Sequence, residues 1–405
     1  MNIIEYVGTS TDTFQKRPFG EVDSLVLCQV AYLDLSNYQD ACLSALAGLS
    51  DADMARIARA HVAENKALLD AFAESVRFGG VRVLCQNTLF DVSSSCQFSA
   101  TVFDVTDAYF FACRGTDGTL VGWKEDLDLM YKDDIAAQTH ALQCLNRIAT
   151  DRPIIVGGHS KGGNLAVYAA AFCDKAVQAR ILAVYDHDGP GFMPAVVERE
   201  GYRRILPRVH KTVPEMCVFG HMMDDGLTYT VVKADTNNIY QHLSFNWHCM
   251  PDGFFEMSDG ITVGSQIVRE ICDTIVPAMT LEERETFVII VYETLRHADV
   301  DRVGDIASVK ALAKALRYTR RLPKSLRAQM AHCVRLFLAA AWGSSVSVTE
   351  EYIGATLNEW RARRQEKKVE RKATKAAKEG DTVTATPLVA ADTTDTHTDD
   401  TEDPA

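Results

Sequence analysis

The amino-acid sequence predicts an α/β fold: a mostly parallel sheet with flanking helices, followed by a C-terminal helical region and a disordered tail. In the middle of the 405 residues, short apolar segments alternate with segments of helical periodicity, as in largely parallel sheets. One of these apolar segments runs through a glycine-rich turn directly into a helix. From residue 261 to about residue 364 the apolar residues recur at helical spacing, and no convincing strand is found.

Residues 1–80 are expected to form a helical segment that packs on the core. In the stretch 21–35 the apolar residues that recur at helical spacing are Val22, Leu25, Val26, Val30 and Leu33. A second amphipathic stretch, residues 50–78, opens on Ser50, a residue type well suited to cap the first turn of a helix. We expect this second stretch to form one long helix.

Residues 81–260 are expected to form the α/β core. The predicted strands lie within residues 97–105, 107–115, 153–156, 179–192, 207–213 and 228–234. The second of these is apolar throughout, as a central strand buried on both faces should be. Predicted helices lie near residues 121–130, 135–150 and 164–173.

The remainder of the chain divides at residue 364. Residues 261–364 contain amphipathic patterns at 282–298, 305–321 and 326–342, which predict a helical cap or lobe. Residues 365–405 are expected to form a charged, disordered tail, since 381–403 carries seven acids and no Lys or Arg. Residues 361–378 carry nine Lys or Arg against two Glu, which predicts a solvated helix end, with peripheral contact to anionic lipid as the alternative.

The composition argues against several classes of protein. The sequence has no run of 18 or more apolar residues, the length that a membrane-spanning helix needs. The start of the chain lacks the pattern of a secretory signal. The formal charge of −13 argues against general nucleic-acid binding. Eleven cysteines lack C-x-x-C pairs, and Cys28, Cys113, Cys173 and Cys333 lie in apolar runs, which favours reduced, buried thiols. We expect a cytoplasmic protein with neither a cofactor nor a metal.

The glycine-rich turn predicts a nucleophile. Gly158, His159, Ser160, Lys161 and Gly162 match G-x-S-x-G, the nucleophile elbow, in which the serine stands at the apex of a strand–turn–helix unit. The alternative is a phosphate-binding turn. The sequence favours the elbow, because both G-x-G-x-x-G and the Gly-Lys-Ser/Thr end of a P-loop are missing here.

A serine hydroxyl needs a base to accept its proton, and in this class of site the chain order is Ser, acid, His. After Ser160, the candidate base is His242, which follows the last predicted strand after a short loop. His248 is the second choice. His297 and His332 lie within predicted helices, which favours a surface or packing role.

The candidate acid is Asp188, which follows a strand and precedes a Pro-Gly turn, where catalytic groups gather in open α/β sheets. Glu215 and Asp224, on later loops, stay open as alternatives. The candidate oxyanion hole combines the N–H of Lys161, after the nucleophile, with Thr116 on an earlier strand-to-helix loop.

Four blocks of the sequence resemble class 3 lipases, and more closely a poorly characterised bacterial branch of that α/β-hydrolase superfamily. The blocks are residues 113–129, 157–170, 185–192 and 241–247. The opening at residues 19–35 resembles that branch too, so the resemblance covers about residues 2–249.

The resemblance implies that Ser160 is the nucleophile, His242 the base, and Thr116 with Lys161 the oxyanion hole. Two departures matter. Lipases commonly have an apolar residue after the nucleophile, whereas Lys161 would either favour an anionic substrate or lie on the surface. Lipases also carry their acid on a later loop, and no Asp stands at the expected place within residues 210–225.

Three functions follow from these residues. The first is a serine hydrolase that cleaves a small-molecule or lipid acyl ester through a Ser-His-acid triad and an acyl-enzyme. The second is an acyltransferase using the same site. The third is a non-catalytic scaffold on a hydrolase fold, which would bind partners through the helical C-terminal region.

Overall fold

The computed structural model describes residues 1–148, 151–223, 226–302, 305, 308–341 and 344. Within these residues seven strands form one sheet, whose order follows the chain: β1 (Arg82–Asp91), β2 (Cys96–Asp104), β3 (Tyr109–Cys113), β4 (Ile154–His159), β5 (Ile181–His187), β6 (Val209–Pro214) and β7 (Tyr229–Val232). The pairs β1–β2 and β2–β3 are antiparallel, and the pairs from β3 to β7 are parallel. The predicted α/β class with a mostly parallel sheet is confirmed.

Strand β1 is an edge strand that the sequence analysis does not predict. Its side chains are mostly exposed or half-buried, and three polar residues, Gln86, Asn87 and Thr88, stand at its centre. Neither a continuous apolar run nor a clean alternation therefore marks it. It is held by antiparallel pairing with β2 along its length.

The helices fall into three groups along the chain: before, between and after the strands of the sheet. Those before the sheet are α1 (Ile3–Thr9), α2 (Glu21–Val30), α3 (Asp51–Ile57) and α4 (Val62–Ala71). Those between strands are α5 (Leu120–Asp128), α6 (Ala136–Asn146), α7 (Lys161–Phe172), α8 (Lys175–Gln178), α9 (Pro194–Val197) and α10 (Glu200–Ile205). Those after it are α11 (Val263–Ala278), α12 (Leu281–His297) and α13 (Val309–Arg321), followed by a helical stretch over 324–341.

The sheet separates two apolar cores. On one face Phe110 and Ile155 pack with the N-terminal helices, and on the other Phe111 and Val156 pack with α6 and α7. Successive side chains of a strand point to opposite faces, so the central residues of β3 and the first residues of β4 are apolar on both faces of the sheet. This explains why both strands are recognisable in the sequence as continuous apolar runs.

The prediction of one long helix over residues 50–78 is wrong. Ser50 does cap a helix, accepting a hydrogen bond from the N–H of Asp53 at 3.2 Å, but that helix ends at Ile57. His61 then adopts a left-handed conformation with φ of 50°, and α4 begins after it. The side-chain amide of Asn65 donates to the carbonyls of Ala60 and His61, which holds the turn between α3 and α4.

The helical periodicity predicted beyond residue 261 is confirmed, with α11 added before the three predicted helices. The predicted tail and the basic run at 361–378 lie outside the described residues, and the domain boundaries at 80, 260 and 364 stay predictions. Cys28, Cys113, Cys173 and Cys333 are buried, as expected. Among the described helices, none combines the length and the hydropathy needed to cross a membrane.

Candidate functional site

The predicted site residues lie on loops at one edge of the sheet. Thr116 follows β3, Ser160 follows β4 and Asp188 follows β5. His242 ends a short 3₁₀ helix (Ile239–His242) beyond β7. The carboxyl ends of neighbouring parallel strands open onto the same edge, which is where ligands bind in open α/β sheets.

Ser160 stands between β4 and α7 in a strained backbone conformation. Its φ of 60° and ψ of −136° lie outside the regions that residues with a side chain prefer. Its N–H donates to the carbonyl of His187 at 2.9 Å, which ties the turn to β5. Such strain at a strand-to-helix junction is typical of a functional residue.

Gly158 and Gly162 allow this turn to be tight. A Cβ on Gly158 would lie 2.0 Å from the carbonyl oxygen of Gly162, and a Cβ on Gly162 would lie 2.1 Å from that of Cys113. The glycines are needed for close approach of backbone to backbone. The positive φ of the turn falls on Ser160 itself.

His242 lies against Asp188. Its Nδ1–H donates to Oδ2 of Asp188 at 2.6 Å, and the carboxylate is fully buried while 16% of the His242 side chain is exposed. With Nδ1 as the donor, Nε2 of the neutral ring carries the lone pair that can accept a proton. The ring is held between those of His159 and Phe219, with centroid distances of 4.6 and 4.3 Å.

The second oxygen of Asp188 is also occupied. Oδ1 accepts hydrogen bonds from the thiol of Cys217 at 2.9 Å and from the N–H of Gly220 at 3.1 Å. Burial alone would raise the pKa of Asp188, but the hydrogen bond and charge of His242 and the bond from Cys217 together lower it from its usual value. Asp188 is therefore ionised at neutral pH.

The other acids and bases considered from the sequence make different contacts. The Glu215 carboxylate accepts a hydrogen bond from Ser258 at 2.6 Å. His248 pairs with Asp235 at 2.9 Å, on the exposed side of the loop. Asp224 lies outside the described residues.

His159, predicted only as part of the elbow, contacts the candidate base, His242. Its Nε2–H donates to the carbonyl oxygen of His242 at 2.7 Å, and its Nδ1 accepts the hydroxyl hydrogen of Tyr32 at 3.0 Å. Burial, together with the nearby charge of His242, lowers the pKa of His159 to about 3, so its ring is neutral at ordinary pH. His159 thus fixes the backbone of His242. No sequence signal links Tyr32 to this site, because the two are brought together only by the fold.

Thr116 is held by a carboxylate that the sequence analysis does not single out. Its hydroxyl donates to Oδ2 of Asp126, on α5, at 2.6 Å. Burial, with the Glu125 charge adding to it, raises the pKa of Asp126 to about 6, although Lys161 and Thr116 act in the opposite direction. While Asp126 is ionised, the Thr116 hydroxyl is occupied, and the N–H of Thr116 is the donor that remains for the candidate oxyanion hole. When Asp126 is protonated, it can donate to the Thr116 hydroxyl and free that hydroxyl as a second donor.

The suggestion that the Lys161 side chain lies on the surface is wrong, and the side chain does not line the cavity that Ser160 lines. Its side chain and that of Glu125 are each 1% exposed, and Nζ lies 2.8 Å from Oε2 of Glu125. Nζ also donates to the carbonyl and the side-chain oxygen of Gln97, at 3.0 and 3.1 Å. Glu125 in turn accepts the N–H groups of Gln97 and Ala137. The ammonium group is therefore fully occupied beneath the elbow, and only the N–H of Lys161 remains a candidate oxyanion donor.

Ser160, His242 and Thr116 line one cavity of about 260 Å³. The N-terminal segment supplies another part of the wall, through Gln29, Tyr32, Asn65 and residues 58–61. Arg302, from the segment after α12, also lines the cavity. The turn between α3 and α4 that the sequence analysis missed is thus part of the site.

Several solved structures are similar to the chain at low identity. The M37 lipase is 15% identical with a TM-score of 0.32, and the match covers 49% of this chain and 69% of that one. The lipase of Rhizomucor miehei in its propeptide complex is 15% identical with a TM-score of 0.28, over 42% of this chain and 60% of that one. A mutant MDLA from Penicillium cyclopium is 11% identical with a TM-score of 0.33, over 58% and 84%.

No functionally curated protein matches the chain. A family model described as Mbeg1-like matches residues 72–293, more than half of the 405 residues. That span contains every residue of the predicted site, from Thr116 to His242. The chain belongs to the Mbeg1-like family.

Proposed function

We propose that this protein is a lipase-like serine hydrolase that cleaves an acyl ester through Ser160, His242 and Asp188. The observation that carries the proposal is the 2.6 Å hydrogen bond between His242 and the buried, ionised Asp188, because His242 and Ser160 line the same cavity. The strained conformation of Ser160 supports the same interpretation.

In the proposed reaction, Oγ of Ser160 attacks the ester carbonyl while Nε2 of His242 takes its proton. Asp188 stabilises the imidazolium that forms and keeps Nδ1 as the donor. The N–H groups of Lys161 and Thr116 stabilise the oxyanion. His242 then protonates the leaving alcohol, and water, activated by the same ring, hydrolyses the acyl-enzyme.

The size of the cavity favours a compact ester. At about 260 Å³ it lies below the usual range of cavities that enclose drug-sized ligands. A short acyl chain is therefore the appropriate first substrate, for example p-nitrophenyl butyrate.

The test compares hydrolysis of this ester by the wild type and Ser160→Ala. Since the hydroxyl is the attacking group, we expect the variant to lose at least about 10⁴-fold in kcat with an unchanged melting temperature. Ser75→Ala is the matched control, because Ser75 is a buried serine that donates to the Val7 carbonyl away from the cavity. Full activity of Ser160→Ala would overturn the assignment, and an inactive, well-folded wild type would favour the non-catalytic scaffold.

A further inference from the structure

We propose that the cavity binds an anionic group of the substrate through Arg59 and Arg302, so that the preferred acyl ester carries a carboxylate or phosphate close to the ester bond. This inference rests on the proposed function. It concerns the cavity mouth, which we define as Arg59, His61 and Arg302, the exposed cationic or titratable residues of the cavity lining.

The cavity lining has more cationic than anionic side chains. Arg59 and Arg302 are both exposed where the cavity meets solvent. Among the described residues that line it, Asp117 is the only one with a carboxylate, and the Asp117 side chain is 4% exposed. The cavity therefore presents more positive than negative charge to an incoming ligand.

Asp117 holds these arginines in place and is shared among them. Its Oδ2 accepts from Nη1 of Arg59 at 2.7 Å and lies 3.9 Å from the guanidinium of the buried Arg114. Its carbonyl oxygen accepts from Nη2 of Arg302 at 3.1 Å. A guanidinium has five N–H donors in a planar fork, so both exposed arginines keep donors for a carboxylate or phosphate.

Arg114 adds to the positive field from below. Its side chain is 6% exposed, and its Nε finds no hydrogen-bond acceptor among the described residues. The carboxylates of Asp34 and Asp117 both act on Arg59 and Arg114, whereas the guanidinium of Arg302 donates to the carbonyl oxygen of Asp117. An anionic ligand at the mouth would supply a charged partner for Arg302 and a further one for Arg59.

The arginines of the mouth come from segments that are distant in the chain. Arg59 lies in the turn between α3 and α4, and Arg302 lies between α12 and α13. Both segments converge on the loop around Asp117, next to Thr116 of the proposed oxyanion hole. The anionic group would therefore bind on the side of the cavity where the ester carbonyl is to be polarised.

The test uses two esters that differ only in charge: p-nitrophenyl pentanoate and the mono-p-nitrophenyl ester of glutaric acid, in which a carboxylate replaces the terminal methyl group. We expect the wild type to hydrolyse the anionic ester with a kcat/KM at least about tenfold higher than that for the neutral ester. The reason is that one charge-assisted hydrogen bond changes an equilibrium constant by about tenfold or more. Added salt should reduce this preference.

Arg59→Gln and Arg302→Gln should each lower kcat/KM for the anionic ester about tenfold and leave the neutral ester almost unchanged. Arg56→Gln is the matched control, because Arg56 is an exposed arginine on α3 that pairs with Asp53 and does not line the cavity. An equal loss on both esters in the two variants, or no wild-type preference for the anionic member in either this pair or the phosphate pair described below, would overturn the anionic site.

Labelling of Ser160 by a fluorophosphonate separates this failure from failure of the proposed function. An adduct on Ser160 without preference for the anionic member of either substrate pair overturns the anionic site alone. No adduct, with neither ester hydrolysed, overturns both proposals.

A second pair of substrates distinguishes the source of the charge: a lysophosphatidate and the monoacylglycerol with the same acyl chain. Preference for the lysophosphatidate that is lost in Arg59→Gln and Arg302→Gln supports a phosphate on the alcohol side. Preference in the glutarate pair alone supports a carboxylate on the acyl side.

Discussion

Two groups of charged residues surround Ser160, and their environments differ. Beneath the elbow lies what we call the floor, Lys161, Glu125 and Asp188, whose side chains are at most 1% exposed and whose polar atoms are occupied by protein partners. The cavity mouth, by contrast, is exposed, and 52% of the Arg59 side chain is open to solvent. Charges of the floor hold the site together, whereas those of the mouth remain available to a ligand.

A cation that follows a proposed nucleophile in the sequence does not for that reason contact the substrate. Lys161 follows Ser160 directly in the sequence, yet its ammonium group is bound by Glu125 and Gln97. Arg59 and Arg302 are far from Ser160 in the sequence and line the same cavity. Substitutions in the floor should therefore affect every substrate or the whole fold, and substitutions at the mouth only charged substrates.

The largest effect is expected for Asp188→Asn in the floor. Loss of the carboxylate removes the acceptor that keeps Nδ1 of His242 protonated, and we expect kcat on p-nitrophenyl butyrate to fall about 10⁴-fold. Glu215→Gln is the control, since that carboxylate bonds Ser258 and should be dispensable. If Glu215→Gln shows the deeper loss, the acid is misassigned.

The next effect is on stability. Lys161→Met leaves Glu125 as a buried charge without its cation, which should lower the free energy of unfolding by about 3–5 kcal/mol. Arg59→Gln at the mouth removes a half-exposed pair and should cost no more than about 1 kcal/mol. Urea unfolding of the two variants measures the difference, and similar losses would contradict the division between floor and mouth.

The sequence predicts the parts of the site that depend on local chain order. Ser160 is recognisable from the strand–turn–helix pattern, and Asp188 from its place after an apolar strand, because such signals lie within a few residues. The burial and the partners of the Lys161 side chain are not predictable in this way, because Gln97 and Glu125 contact its ammonium group from β2 and α5, which are distant in the chain. The turn at His61 is hidden by the continuous amphipathic pattern on either side of it.

The smallest effect concerns the pH dependence of stability through Asp126, whose carboxylate accepts a hydrogen bond from Thr116 and lies 3.8 Å from Nζ of Lys161 in the floor. Burial raises its folded-state pKa to about 6 from 3.8, so the stability it contributes is present below about pH 4 and is lost as the pH rises through 6. Asp126→Asn lacks this titration. Relative to the wild type, the variant should therefore gain stability, on the order of 1 kcal/mol, between about pH 4 and pH 7. Thermal unfolding at several pH values measures it, and a difference independent of pH would contradict the raised pKa.

The most direct test of the proposed active site is covalent labelling of the wild type and Ser160→Ala by a fluorophosphonate, measured by intact mass. The reagent reacts with a serine whose proton is taken by a base, so hydrolysis of the natural substrate is not needed. We expect one adduct on the wild type and none on Ser160→Ala. An unlabelled, well-folded wild type, or equal labelling of the variant, would contradict the assignment of Ser160 as the nucleophile.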